Sequence, residues 1–192
     1  VGDVMYDAIL QFSELSESRS TLLSALGISP KEYLLATIHR PANTDNPENL
    51  KAIFEAFREL DEMIIFPVHP RTRGKIAELI DNLEEFAPKL KLIEPVGYLD
   101  MLSLEKNASM IMTDSGGIQK EAYWLHVPCI TLRDETEWIE TVEVGWNTLV
   151  GANTKSIRSA VSSWTIPVDA PNFYGDGRAA GAIAHILGET FS

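Results

Sequence analysis

Six short apolar runs, at 34–38, 63–68, 90–93, 110–113, 129–132 and 148–150, recur along the chain with longer stretches between them. None has the clean alternation of a half-exposed strand, which points to central parallel strands covered on both faces. The stretches between them carry helical period instead. After the first run, Leu50, Ile53, Phe54, Phe57 and Leu60 share one face, and Lys51, Glu55, Arg58 and Glu59 take the other. Asn46 is placed to cap that helix, Pro47 fits its first position, and Glu48 suits the positive end of its dipole. Further helices are predicted at 73–85, 117–124, 155–164 and 176–189, and two at 3–15 and 21–26 precede the first strand. Strand and helix alternating in this way imply right-handed crossovers. The expected fold is therefore α/β, a doubly wound, six-stranded parallel sheet of Rossmann-like type. With 192 residues and no repeat, low-complexity stretch or long linker, the chain reads as one domain over 1–192, with residues 1–30 as a helical lead-in.

Charge and composition narrow the ligand. A net charge of −12 leaves no basic stripe to displace counterions, so nucleic acid is not an expected partner. A small anion is still possible where donors cluster locally. No run is long enough to span a membrane, and no basic segment followed by an apolar one opens the chain. The lone Cys129 lies inside an apolar run, reads as a small core residue and suits a reducing compartment; the expected address is the cytoplasm. The cysteine and the scattered histidines have no metal-ligand spacing, so no metal site is expected.

In sheets of this kind ligands sit beyond the carboxyl ends of the strands. Four runs place polar groups there: His39-Arg40, His69-Pro70-Arg71, Asp114-Ser115-Gly116-Gly117 and Arg133-Asp134-Glu135-Thr136. The segment 113–122 is the sharpest. Two glycines let a ligand approach the backbone, and the first helical turn offers free N–H groups to an anion. Ser115 adds a hydroxyl donor, and Glu121, about one turn further on, offers a carboxylate to a sugar diol. The same Gly-Gly would also serve as plain strand–helix punctuation; the nucleotide reading requires the turn to be free of capping by its own side chains and to open toward the other strand tips. His39, in the run 37–43, suits either a donor to a leaving phosphate or proton shuttle, or a strand-end histidine bonded to loop carbonyls. His69 is equally placed. His126 and His185 read as structural. The run 133–138 is either part of the site or a solvated acidic loop.

Taken in order, 37–43, Pro67-Val68-His69-Pro70, 113–122, 133–137 and 145–151 resemble the non-hydrolysing UDP-N-acetylglucosamine 2-epimerases. The resemblance runs from Val1-Gly2-Asp3-Val4 to Tyr174-Gly175-Asp176-Gly177. It implies the second half of a two-domain glycosyltransferase B-type architecture, starting near the interdomain crossover, with the N-terminal catalytic domain and its carboxylates outside this chain. By position Ser115, Gly116 and Gly117 would bind the diphosphate and Glu121 the uridine ribose. Val96 and Met101 would flank uracil, mainly through backbone groups, and His39 matches the family's active-site histidine. Arg40, His69 and Arg133 are further candidates. The implied reaction eliminates UDP across C1–C2 of UDP-N-acetylglucosamine and adds it back with C2 inverted, giving UDP-N-acetylmannosamine. It calls for no cofactor, and the isolated chain is expected to bind UDP without epimerising. The full-length enzyme is expected to be a homodimer. Trp138-Ile139 stand where many members have Arg-Pro, and Pro41-Ala42-Asn43 where Arg-Glu-Asn is commoner. These departures suggest a branch acting on a related sugar such as a UDP-2,3-diacetamido uronic acid. The rivals are a glycosyltransferase half of the same architecture and a non-catalytic nucleotide-sugar module.

Overall fold

The computed structural model of the protein describes residues 1–190. Helices α1 (Val4–Arg19) and α2 (Leu22–Leu26) precede strand β1 (Tyr33–Thr37). Helices α3 (Pro41–Thr44) and α4 (Pro47–Arg58) lead to β2 (Met63–Pro67), and α5 (Pro70–Leu79) and α6 (Leu83–Phe86) to β3 (Leu90–Ile93). Then follow α7 (Tyr98–Asn107), β4 (Met110–Thr113), α8 (Gly116–Trp124), β5 (Cys129–Thr131), α9 (Ile139–Glu143) and β6 (Asn147–Leu149), with α10 (Thr154–Ser163) and α11 (Ala179–Thr190) last. The six strands form one parallel sheet in the order β3-β2-β1-β4-β5-β6. The winding reverses between β1 and β4, where the connections leave toward opposite sides and open a crevice at the strand tips. Among the described residues no helix is long and apolar enough to cross a membrane.

Every residue of β1 is buried, as its unbroken apolar run requires. Successive side chains point to opposite faces. Leu34 and Ala36 join a core with Leu50, Ile53, Phe54 and Phe57 of α4 and Ile157 of α10. Tyr33 and Leu35 join another with Leu104 of α7 and Ala122 of α8. The sheet is thus the middle of three layers. Each fully buried phenylalanine of α4 contributes roughly 1.5–3 kcal/mol of transfer free energy. Helix α4 starts as its sequence dictates: Asn46 accepts from the N–H groups of Glu48 (3.0 Å) and Asn49 (3.3 Å), and Pro47 occupies the first turn.

Three expectations need correction. The helix read at 73–85 is two helices, α5 and α6, broken at Ile80, which leaves helical geometry at φ −135°. Helix α1 runs beyond the expected 3–15 because the Ser16 hydroxyl, buried, donates to the Leu99 carbonyl at 2.6 Å. Helix α7 is absent from the sequence-based expectation. It lies between α1, α8 and the sheet, so that Leu102, Ser103, Leu104 and Glu105 are all buried and no amphipathic period shows.

A third, aromatic cluster joins Tyr123, Trp146 and Tyr174 with Trp124 and Trp138. It holds both ends of the domain together. Asp3 N–H donates to the Tyr174 carbonyl at 2.8 Å, and a Cβ on Gly2 (φ +89°) would stand 2.8 Å from that same oxygen, so only glycine fits. Lys120 of α8 pairs with Asp3 at 2.6 Å and lies 4.1 Å from the centre of the Trp138 ring. Cys129 is buried in the second core, and burial pushes its thiol up to about 12. It is expected to react with Ellman's reagent near pH 8 only as fast as the protein unfolds. Rapid modification of the native protein, at the rate of an unfolded control, would contradict that burial.

Candidate functional site

The reversal point is built by the tips of β1, β4 and β5, and a buried aspartate joins them. Asp114 follows β4 and is fully buried. Its carboxylate accepts from the backbone N–H of His39 (3.0 and 3.2 Å), the N–H of Arg40 (3.0 Å) and the Asn43 amide (3.1 Å). Asn43 also donates to the Leu132 carbonyl beyond β5, at 3.0 Å. Below this clamp the Thr37 and Thr113 hydroxyls are hydrogen bonded at 2.6 Å, and Ser115 N–H donates to the Thr113 hydroxyl at 2.9 Å. The ring of His39, half exposed, stands with Nδ1 3.4 Å from Asp114. Asp114 thus orients the loop carrying His39 and Arg40.

Helix α8 starts at this junction. Contrary to the expectation of a turn free of side-chain caps, Ser115 caps it, its hydroxyl oxygen accepting from Ile118 N–H at 3.4 Å. That is longer than a good N–H···O bond, and it occupies an oxygen lone pair while the hydroxyl hydrogen stays available. Among the described residues the Gly116 and Gly117 amides, in the first turn, have no acceptor. The space in front of Gly116 is bounded by Trp138, Glu137 and Arg40: a Cβ there would lie 3.4, 3.5 and 3.7 Å from their nearest side-chain atoms. The turn therefore opens toward the β1 and β5 tips. Two amides, a hydroxyl and the Arg40 guanidinium at a helix N-terminus can hold an anion, and the Glu137 carboxylate that borders the same space is paired with Arg133.

The other expected residues fall into place unevenly. Arg133 lies on the same rim, where it makes two bonds to Glu137 (3.0 and 2.9 Å) and holds that carboxyl down at about 2. His69 is committed locally, its Nδ1 capping α5 by accepting from Arg71 N–H at 3.2 Å. Arg71 and Arg73 pair with Asp45 and Glu94, whereas Arg40 makes no ion pair among the described residues. Val96 and Met101 are partly buried against the second core, and the Met101 N–H already donates to the Gly97 carbonyl at 2.9 Å. Glu121 is nearly buried, and Tyr98 O–H donates to it at 3.4 Å. Burial raises the carboxyl of Glu121 above the usual range.

The run 133–138 keeps its acids Asp134, Glu135 and Glu137 exposed but is anchored from beneath. Thr136 donates to the side-chain oxygen of the buried Gln119 (2.6 Å), which also accepts from Asn147 at 3.2 Å. Trp138 N–H returns to the Thr136 hydroxyl at 3.1 Å. Gln119 and Asn147 escaped the sequence reading as site builders, and Asp114, named among the rim residues, was given no role of its own. An aspartate before Ser-Gly-Gly and an asparagine six residues past a strand carry the only signal of the clamp.

The sequence profile of the UDP-N-acetylglucosamine 2-epimerase family matches residues 1–188. A UDP-N-acetylglucosamine 2-epimerase homolog of Methanococcus maripaludis is 50% identical over 191 residues, covering 97% of this chain and 53% of that protein. The UDP-2,3-diacetamido-2,3-dideoxy-D-glucuronate 2-epimerase of Pseudomonas aeruginosa is 42% identical, with coverages of 97% and 51%. The crystal structure of the Methanocaldococcus jannaschii UDP-GlcNAc 2-epimerase in complex with UDP-GlcNAc and UDP superimposes with a TM-score of 0.85 at 43% identity, over 98% of this chain and 54% of the other. The chain spans about half the length of the relatives it matches.

Proposed function

Because this chain belongs to the UDP-N-acetylglucosamine 2-epimerase family, we propose that it is the UDP-holding half of an enzyme interconverting UDP-N-acetylglucosamine and UDP-N-acetylmannosamine. The observation that carries the reading is the opening turn of α8 at the reversal point of the sheet, where Gly116 borders Arg40 and the Gly116 and Gly117 amides have no acceptor among the described residues. Elimination of UDP leaves negative charge on the departing diphosphate, and preorganised donors at that position lower the barrier. The two amides, the Ser115 hydroxyl and Arg40 supply them. His39, oriented by Asp114 through its backbone, is assigned the donation to the leaving oxygen. Glu121, beside Tyr98, accepts from the ribose diol, and the segment around Val96 and Met101 flanks uracil. The base that takes the C2 proton is assigned to the other half of the enzyme. We accordingly expect UDP binding without epimerisation from this chain alone, a homodimeric full-length enzyme, and a cytoplasmic location. Membership of an epimerase family does not favour the glycosyltransferase or sensor-module readings.

Two measurements test this. Calorimetric titration of the chain with UDP is expected to give saturable binding, which Glu121→Ala weakens by roughly tenfold, the worth of one charge-assisted hydrogen-bond pair. A full-length enzyme containing this chain, given UDP-N-acetylglucosamine in heavy water, is expected to incorporate deuterium at C2. Sugar transferred to an acceptor with no exchange at C2 would overturn the assignment.

A further inference from the structure

Glu137 puts a negative charge where the proposed function seats an anion. The place that a Cβ on Gly116 would take is bordered by three polar side-chain atoms: Trp138 Nε1 at 3.4 Å, Glu137 Oε2 at 3.5 Å and Arg40 Nη2 at 3.7 Å. Two of the three are donors. The Trp138 indole N–H has no partner among the described residues, and Arg40 makes no ion pair there. Trp124 and Trp164 also carry an unpartnered indole N–H, but that of Trp138 is the one bordering the α8 turn. A covered donor without an acceptor calls for a reason.

A fourth group fixes the carboxylate. Arg133 Nη1 donates to the same Oε2 at 3.0 Å, and its Nη2 donates to Oε1 at 2.9 Å. Oε2 therefore lies against Arg133 and beside Gly116 at once. A phosphate oxygen brought to the α8 amides would have to share that space with it. Two like charges about 4 Å apart in water repel by an amount worth roughly fivefold in affinity. Exposure decides which group yields. The Glu137 side chain is 53% exposed and free to turn into solvent, whereas that of Arg133 is 13% exposed. Trp138 is held as well: Lys120 lies 4.1 Å from its ring centre, Tyr174 meets the ring edge-on, and its backbone N–H donates to the Thr136 hydroxyl. Phosphate and carboxylate offer a guanidinium fork the same paired oxygens. We infer that Glu137 is a displaceable stand-in for a ligand phosphate: binding turns it out to solvent, and a phosphate oxygen takes its place on Arg133, beside the Trp138 indole N–H and Arg40. This rests on the reading of the α8 turn as the diphosphate site. Arg133 and Trp138 become further phosphate-binding residues, and in the free protein Glu137 keeps the largely covered Arg133 from standing as an unpaired cation.

The test titrates UDP and uridine by calorimetry against wild type, Glu137→Gln, Trp138→Phe, and Glu137→Gln combined with Arg133→Met or Arg133→Lys. Glutamine keeps the length of glutamate without its charge, so it yields Arg133 more easily. Glu137→Gln is expected to bind UDP roughly fivefold more tightly than wild type and uridine equally well. Adding Arg133→Met should then weaken UDP roughly tenfold, and Arg133→Lys, which keeps the charge, should weaken it less. Trp138→Phe, which keeps a ring without the N–H, should weaken UDP roughly tenfold, and none of these changes should move uridine. The inference fails if Glu137→Gln binds UDP no more tightly than wild type, as it would were Glu137 a ligand contact or a brace for its loop. It fails too if both Arg133 variants match Glu137→Gln alone, or weaken uridine as much as UDP. A wild type that binds UDP no better than uridine would instead remove the diphosphate from the α8 turn. In crystals grown with UDP, a phosphate oxygen is expected within about 3 Å of Arg133 with Glu137 turned away; an intact Arg133–Glu137 pair beside a bound diphosphate would equally overturn it.

Discussion

Asp114→Ala is expected to lower stability by about 3 kcal/mol, read from urea denaturation followed by circular dichroism, and to abolish measurable UDP binding. The carboxylate removed is fully buried and receives three different N–H donors from the loop after β1. Each buried donor left unpaired costs about 1–3 kcal/mol. Partial water access at His39 and Arg40 places the sum at the lower end of what three such losses would give. The consequence for binding follows from position: without the clamp, nothing fixes His39 and Arg40 opposite α8. Asp114→Asn keeps one acceptor oxygen but turns an amide toward the donors, so it should fall between wild type and alanine. A fully stable Asp114→Ala protein would show that the clamp is not what aligns the two strand tips.

Gly116→Ala is expected to do the reverse, sparing the fold and losing the ligand. A Cβ at this position would meet Trp138, Glu137 and Arg40 at 3.4–3.7 Å, ordinary contact distances, and alanine is a better helix former than glycine. The change in stability should stay within about 1 kcal/mol. The added methyl nevertheless occupies the space on which the amides and Arg40 converge, so a phosphate oxygen cannot approach within hydrogen-bond distance. Affinity for UDP should fall about a hundredfold, close to 2.7 kcal/mol. Gly181→Ala is the control: a Cβ there meets nothing within 4 Å, and it should bind UDP like wild type. Equal affinities for the two variants would move the diphosphate away from the α8 turn.

Legibility in the sequence divides along physical lines. Strands β1, β4 and β5 were legible because a parallel strand covered on both faces is buried at every position; the edge strands β3 and β6, with exposed Lys91 and with Asn147 and Thr148, were legible only from the shorter apolar runs that overlap them. The capped, two-faced α4 was legible for the same kind of reason. Helix α7 was not, because a helix buried on several sides loses its polar stripe; Glu105, which by type reads as a surface residue, is the extreme case. At the site, glycines beside a strand end announced the α8 turn, since their use is backbone-local. The clamp was hidden because its partners are 71 to 75 residues apart, and only the fold brings Asn43, Arg40 and His39 to Asp114. His69 reads like His39 in sequence, each ending an apolar run beside an arginine or one residue from it. Their surroundings set them apart: the helix opening at Pro70 takes the His69 ring as its cap, while His39 faces a buried acid.

The identity of the α8 cap carries one more consequence. Aspartate and asparagine hold helix starts as well as serine does, so helix stability alone gives no reason for a hydroxyl at residue 115. The difference lies in polarity along a single direction. With a lone pair engaged by the Ile118 amide, the hydroxyl rotor is steered so that its hydrogen can point out of the helix mouth. A carboxylate cap would present oxygen lone pairs and a full negative charge to any incoming anion. On the proposed reading, serine lets one side chain close a helix end and meet a phosphate without contradiction.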